Sequence, residues 1–155
     1  MANYNFKDDI IEGELGEKVV LKDLELLGCT LISENKDKKY DLRVKTKNGK
    51  DKTFEIKTDV LCNPQYDTGN IFVELECRGK LSGINVTEAD YFVTYYKHLM
   101  EIWYIKTKDL KKLMCENVFE IKEMVGDAGS KTKGVLVNRY KFKEHFTVRQ
   151  TVKNG

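Results

Sequence analysis

The sequence predicts an α/β (α+β) fold, with a central mixed β-sheet of four to six strands flanked by helices. Three observations predict it. Apolar residues recur at helical spacing from Asp8 to Gly28. From Asp41 to Asp59 they fall instead on even positions only: Leu42, Val44, Phe54 and Ile56. Later, Ile71–Cys77 alternates again with a period of two, and Tyr91–Tyr96 and Ile102–Lys106 are rich in aromatic and β-branched residues.

The first element is a helix. Ile10, Ile11, Leu15, Val19, Val20, Leu24 and Leu27 are spaced by about three or four, and Gly28 is a stop signal. Gly13 and Gly16 weaken the first half, so the helix is expected to begin properly near Glu14. Cys29–Ser33 is a first strand or an extended approach to one, and 34–39 is a charged turn.

The central hairpin follows. A strand sends alternate side chains to opposite faces, so Leu42, Val44, Phe54 and Ile56 define a buried face and Asp41, Arg43, Glu55 and Lys57 a polar one. Asn48-Gly49 is a hairpin signal. A two-residue loop there would pair Leu42 with Glu55 and Asp41 with Ile56, setting apolar against polar on each face. The pattern therefore predicts a loop of odd length or a bulge, with Asp41 opposite Glu55 or Lys57. Two carboxylates at such a place suit a hard divalent cation, and an amine two residues along can reach the same phosphate or water.

Asp41, a spacer of thirteen residues and then Glu55-Ile56-Lys57 resemble the bipartite motif of the PD-(D/E)XK nuclease superfamily. The first half reads Tyr40-Asp41, without the proline; the second half is intact. The strand–turn–strand context, a long amphipathic helix before it and a strand after it, fits the first hundred residues or so of that superfamily's restriction-endonuclease-like core. The resemblance implies a metal-dependent DNA endonuclease, akin to small phage, bacterial or Holliday-junction-resolvase-like members. It implies Mg²⁺ or Mn²⁺ held by Asp41, Glu55 and the backbone carbonyl of Ile56, with Lys57 as the catalytic amine. A helix glutamate that points back at the metal is common in the superfamily, and Glu17 fits that role best, Glu14 less well. The same resemblance suggests a homodimer, since two strands are to be cut. The alternatives are a nuclease-fold binding or assembly module without cleavage, and an ordinary surface ion-pair ladder.

The rest of the chain is read around that hairpin. Val60–Asn70, with the only proline, Pro64, is a loop; Ile71–Cys77 is expected as the strand beside Glu55–Lys57, bringing Glu74 close as an accessory acid. Arg78-Gly79-Lys80-Leu81-Ser82-Gly83 is a basic loop whose glycines let the backbone approach a ligand and whose Arg78, Lys80 and Ser82 suit phosphate oxygens. It lacks the spacing of a Walker motif. With Thr87–Tyr91 it resembles a stretch of the phage and bacterial nucleases. Thr87 and Asp90 have the spacing of a helix-capping pair. Lys45 and Lys47, at the hairpin tip with Lys50 and Lys52, are further candidates for a phosphate backbone. Tyr91, Phe92, Trp103 and Tyr104 are read as core. Asp109–Glu116 is a second helix, Val118–Val125 a strand, 126–134 a polar loop and Val135–Phe142 a strand. The basic tail 143–155 is expected to fray.

Composition bounds these readings. At 155 residues, 41% of them hydrophobic, the chain suits one domain spanning 1–155. Net charge is only +2, but 36–57 holds nine basic residues to four acidic ones, and 131–155 seven to one, which suits a polyanion along one face. The four cysteines have no C-x-x-C spacing and read as reduced thiols. No apolar run nears the ~18 residues of a membrane span, and the N-terminus lacks a signal pattern, so a cytoplasmic protein is expected.

Overall fold

In a computed structural model of the chain, the described residues are 6–34, 39–125 and 131–151, with side chains at 10–34, 39–124 and 131–151. The chain forms helix α1 (Phe6–Leu26) and strands β1 (Thr30–Glu34), β2 (Leu42–Lys45) and β3 (Asp51–Asp59). Next come β4 (Asn70–Cys77), β5 (Lys80–Leu81), β6 (Tyr91–Tyr96) and β7 (Glu101–Lys106). Helix α2 (Thr107–Glu116) precedes β8 (Ile121–Val125), β9 (Lys131–Asn138) and β10 (Thr147–Gln150). A mixed six-stranded sheet has the order β1-β2-β3-β6-β7-β10; a second sheet has the order β5-β4-β9-β8. The expected α+β class and strand number of the central sheet are observed.

The alternation read from the sequence decides which side of the first sheet is filled. Leu42, Val44, Phe54 and Ile56 pack with Val20 and Leu24 of α1 and with Val93, Tyr95, Ile102 and Tyr104. The opposite face is covered over β6, β7 and β10, where Phe92, Tyr96, Trp103, Ile105 and Val148 meet α2 and the second sheet through Leu110, Leu113, Val73, Val135 and Val137. The polar face of β2 and β3 is thus left beside a step in the covering layer. Phe92, Trp103 and Tyr104 are buried, as expected of core, and all four cysteines are free thiols. Among the described residues no helix is long and apolar enough to cross a membrane.

Five expectations need correction. Helix α1 already runs from Phe6 and carries both glycines within it. Gly16 is there because α1 passes so close to β3 that a Cβ would lie 1.9 Å from Thr58 Oγ1. The Ile71–Cys77 strand does not lie beside Glu55–Lys57; it pairs with β5 and β9 in the second sheet, and the neighbour of β3 is β6, in parallel. Thr87 and Asp90 cap no helix. The Thr87 hydroxyl donates to the Lys39 carbonyl, and Asp90 Oδ2 accepts from the Thr53 N–H (2.9 Å) and hydroxyl (3.1 Å), tying the start of β6 to β3. The strand expected at Val135–Phe142 lies earlier, at Lys131–Asn138, because Gly134 and its neighbours pair with β4 and β8. The tail is ordered through Gln150: β10 pairs with β7, and Arg149 Nε donates to both carboxylate oxygens of Asp23 on α1 at 2.9 and 2.8 Å. A segment that closes a sheet and neutralises a buried carboxylate does not fray. The turn expected at 34–39 and the loop at 126–134 fall largely outside the described residues.

Candidate functional site

The hairpin register sets the site. Leu42 pairs with Phe54 and Lys45 with Asp51, so the loop is of odd length, as the pattern required. The Thr46 N–H donates to the Lys50 carbonyl and Gly49 takes a positive φ of 81°, a conformation that favours glycine. Continued to the start of β2, the same register puts Asp41 opposite Glu55. Asp41 is fastened twice: its N–H donates to the Phe54 carbonyl (2.8 Å), and its Oδ2 accepts the Ile56 N–H (2.7 Å) where β2 ends. The second bond replaces a missing ladder partner and fixes the carboxylate beside the strand that carries Glu55 and Lys57.

Glu55 and Lys57 open onto a cleft of about 610 Å³ whose other wall is the β4–β5 hairpin, with Glu74, Arg78, Lys80 and Ser82. Three features shape that wall. Arg78 (φ 54°) and Gly79 (φ 75°) make the tight turn. Gly83 lies so close to β4 that a Cβ would be 2.3 Å from the Glu74 carbonyl oxygen. The Ser82 N–H donates to the Leu75 carbonyl (2.9 Å), while its hydroxyl oxygen is buried without a hydrogen-bond partner. The predicted acid–amine group and the predicted basic loop therefore face one another, although they belong to different sheets.

The electrostatics are those of crowded acids. Burial, then the neighbouring Asp41 carboxylate, push Glu55 up to about 7; the ammonium of Lys57 acts against this, and the charges of Glu17 and Glu74 add to it. Burial also raises Asp41, against the lowering effects of the Ile56 N–H and Lys57. Glu17, half-buried on α1, is thus near enough for its charge to be felt at Glu55, and Glu74 reaches the same place from the second sheet. Glu14 is exposed. Lys45 and Lys47 are exposed at the hairpin tip and do not line the cleft; the side chain of Lys47 lies over Gly28, past the end of α1. Lys57 is exposed, which leaves its amine accessible from solvent.

The donors fit a hard cation in kind. They are carboxylate oxygens, and a positive charge beside Glu55 relieves the repulsion that holds it near neutrality. Among the described residues no three His, Cys, Asp or Glu side chains stand close enough to hold an ion by themselves. Mg²⁺ is commonly held by one or two carboxylates and several waters, so the pair Asp41 and Glu55 is a sufficient protein share.

No family model and no curated protein matches the chain. Among solved structures, the bacterial homing endonuclease I-Ssp6803I is similar over 64% of this chain and 69% of its own, with 17% identity and a TM-score of 0.49. A likeness so distant shows neither the family nor the activity of this chain.

Proposed function

We propose that this protein is a metal-dependent endonuclease of the PD-(D/E)XK kind that hydrolyses phosphodiester bonds in DNA. The observation that carries this reading is Glu55, which feels the charges of Asp41, Lys57, Glu17 and Glu74 and with Lys57 lines one wall of a cleft whose other wall is Arg78, Lys80 and Ser82. Asp41 and Glu55 would hold Mg²⁺ or Mn²⁺, and the Ile56 carbonyl, on the strand edge whose N–H Asp41 holds, is the further oxygen. Bound there, the metal supplies positive charge that polarises the scissile phosphate and acidifies a water. Lys57 orients that water and offsets charge that grows on the phosphate oxygens. Glu17 restrains the carboxylate pair from the helix side. Arg78, Lys80 and the Ser82 hydroxyl hold the backbone of the bound strand. The cutting we propose is structure-dependent or weakly sequence-dependent, as in junction resolution or repair, by a homodimer that presents one centre to each strand.

The test is cleavage of plasmid, linear duplex, single strand, four-way junction and RNA, each with and without Mg²⁺. We expect Mg²⁺-dependent cutting of DNA that Asp41→Asn and Lys57→Ala abolish while DNA binding persists. An Asp41→Asn protein that cuts plasmid normally removes the assignment. Binding without any cleavage, at every metal tried, would select a nuclease-fold binding module instead.

A further inference from the structure

We propose that the pocket at the N-terminal end of α2 is a second phosphate subsite, which holds a backbone phosphate of the same nucleic acid away from the scissile one. The proposal rests on reading the cleft as a nuclease site. The pocket, about 470 Å³, is lined by Lys52, Lys106, Thr107, Lys108 and Lys111 and by the residues leading into β6. Four lysines line it, and among the described residues none of them is in an ion pair.

The helix end points the same way. The N-cap of α2 is Lys106, which offers no side-chain cap, so the first-turn N–H groups lack the acceptor that a Ser, Thr or Asp would give them. The Thr107 N–H is satisfied by the Asp90 carbonyl (2.9 Å). The Thr107 side chain is only 6% exposed, yet its hydroxyl oxygen has no hydrogen-bond partner. A buried hydroxyl normally finds one. A phosphate oxygen seated among the lysines supplies the acceptor it lacks, at the helix end where anions are favoured.

The acids nearby do not compete for the lysines. Asp90 is spent on Thr53, Glu88 pairs with Lys39 at 3.8 Å, and Asp109, in the first turn of α2, lines a different hollow with Lys112 and His145. The pocket adjoins the cleft along the chain: Val86 lines the cleft and Thr87, the next residue, lines the pocket.

The experiment uses Asp41→Asn protein, so that DNA is bound and not consumed, and reads the affinity for a fluorescent duplex across a series of NaCl concentrations. We expect Lys108→Ala with Lys111→Ala to weaken binding by about tenfold and to reduce the slope of log K against log salt by about 1. Thr107→Val, which removes the hydroxyl but keeps the shape, should also weaken binding while leaving the melting temperature unchanged or raised. Unchanged affinity and slope in the double lysine variant overturns the subsite, even where the wild-type protein cuts DNA in Mg²⁺. If the wild-type protein binds DNA but never cuts it, and the lysine variant still loses affinity and slope, the subsite stands and the nuclease reading falls. A wild-type protein that does not bind DNA overturns both.

Discussion

Glu55 is held in a place that disfavours its own charge. Its ordinary value is 4.5, and burial with the Asp41 carboxylate lifts it to about 7. A carboxyl group raised in the folded state gives stability that is fully present below 4.5 and lost as pH rises through 7. The full shift corresponds to about 3 kcal/mol, and solvent at the open cleft reduces the realised effect to about 1–2 kcal/mol. Glu55→Gln should therefore stabilise the metal-free protein by about 1–2 kcal/mol at pH 8, with the difference shrinking towards zero near pH 4, as urea denaturation will show. The same change should abolish cleavage. The second expectation concerns linkage. Because only the ionised carboxylate binds a cation, cleavage at limiting Mg²⁺ should rise through an inflection near pH 7 that moves to lower pH as Mg²⁺ increases. An inflection that stays in place from micromolar to millimolar Mg²⁺ would separate Glu55 from the metal.

At the scale of the element, the two glycines of α1 differ in sign. A Cβ at Gly13 meets nothing within 4 Å, so Gly13→Ala should gain up to about 1 kcal/mol of helix propensity. At Gly16 the added carbon would strike Thr58, and Gly16→Ala should cost about 1–2 kcal/mol after that propensity gain, partly restored by Thr58→Ala. Equal effects at the two positions would mean that α1 does not press on β3 there. The last strand is tied to the first helix: Arg149→Ala leaves Asp23, 4% exposed, with the Tyr104 hydroxyl (2.8 Å) as its remaining side-chain hydrogen bond among the described residues. This should cost about 2–4 kcal/mol in the same denaturation assay. These elements mark how far the sequence could be read. Period-two alternation identified β2, β3 and β4, aromatic and β-branched richness identified β6 and β7, and the parity of Leu42, Val44, Phe54 and Ile56 required the odd loop. Alternation says which side of a strand is buried, however, and not which sheet the strand joins. The place of β4 depends on pairing with β9 some sixty residues on. The same limit applies to the site. Asp41, Glu55 and Lys57 are local to one hairpin and could be grouped from spacing. Glu74 opposite them and the lysines around Thr107 come together only through packing between distant segments, and a tail whose Arg149 answers an aspartate 126 residues earlier reads as loose basic chain.

At the scale of the whole molecule, the cleft exists because two sheets are held at a fixed distance, and a buried arginine fastens them. Arg139, at the end of β9, is 0% exposed. Its Nη2 donates to Asp67 Oδ2 (2.6 Å) and to the Tyr140 hydroxyl (3.0 Å), which itself donates to Asp67. Its guanidinium carbon lies 4.4 Å from the ring centroid of Tyr96 and 5.1 Å from that of Trp103, so the second sheet grips β6 and β7 of the first through their aromatic faces. Nε and Nη1 have no hydrogen-bond partner, and the facing rings are what they have instead. Burial raises Asp67, but the bonds from Arg139, Tyr140 and the Gly69 N–H outweigh it and hold this carboxyl well below its usual 3.8. A depressed carboxyl contributes stability that is present above 3.8 and lost as pH falls through its folded value. Asp67→Asn leaves a buried guanidinium without a counter-charge and should cost about 3–5 kcal/mol at pH 7, a cost that shrinks below pH 4. Trp103, the only tryptophan, is 2% exposed against this cluster, so its fluorescence reports the loss directly. Arg139→Met removes charge and grip together. It should lower kcat/KM for DNA at temperatures where the variant is still folded, since Arg78 and Lys80 stand on the second sheet and Glu55 and Lys57 on the first. A folded Arg139→Met protein with wild-type kcat/KM would mean that the β3–β6 side of the cleft holds the β4–β5 hairpin in place without the arginine.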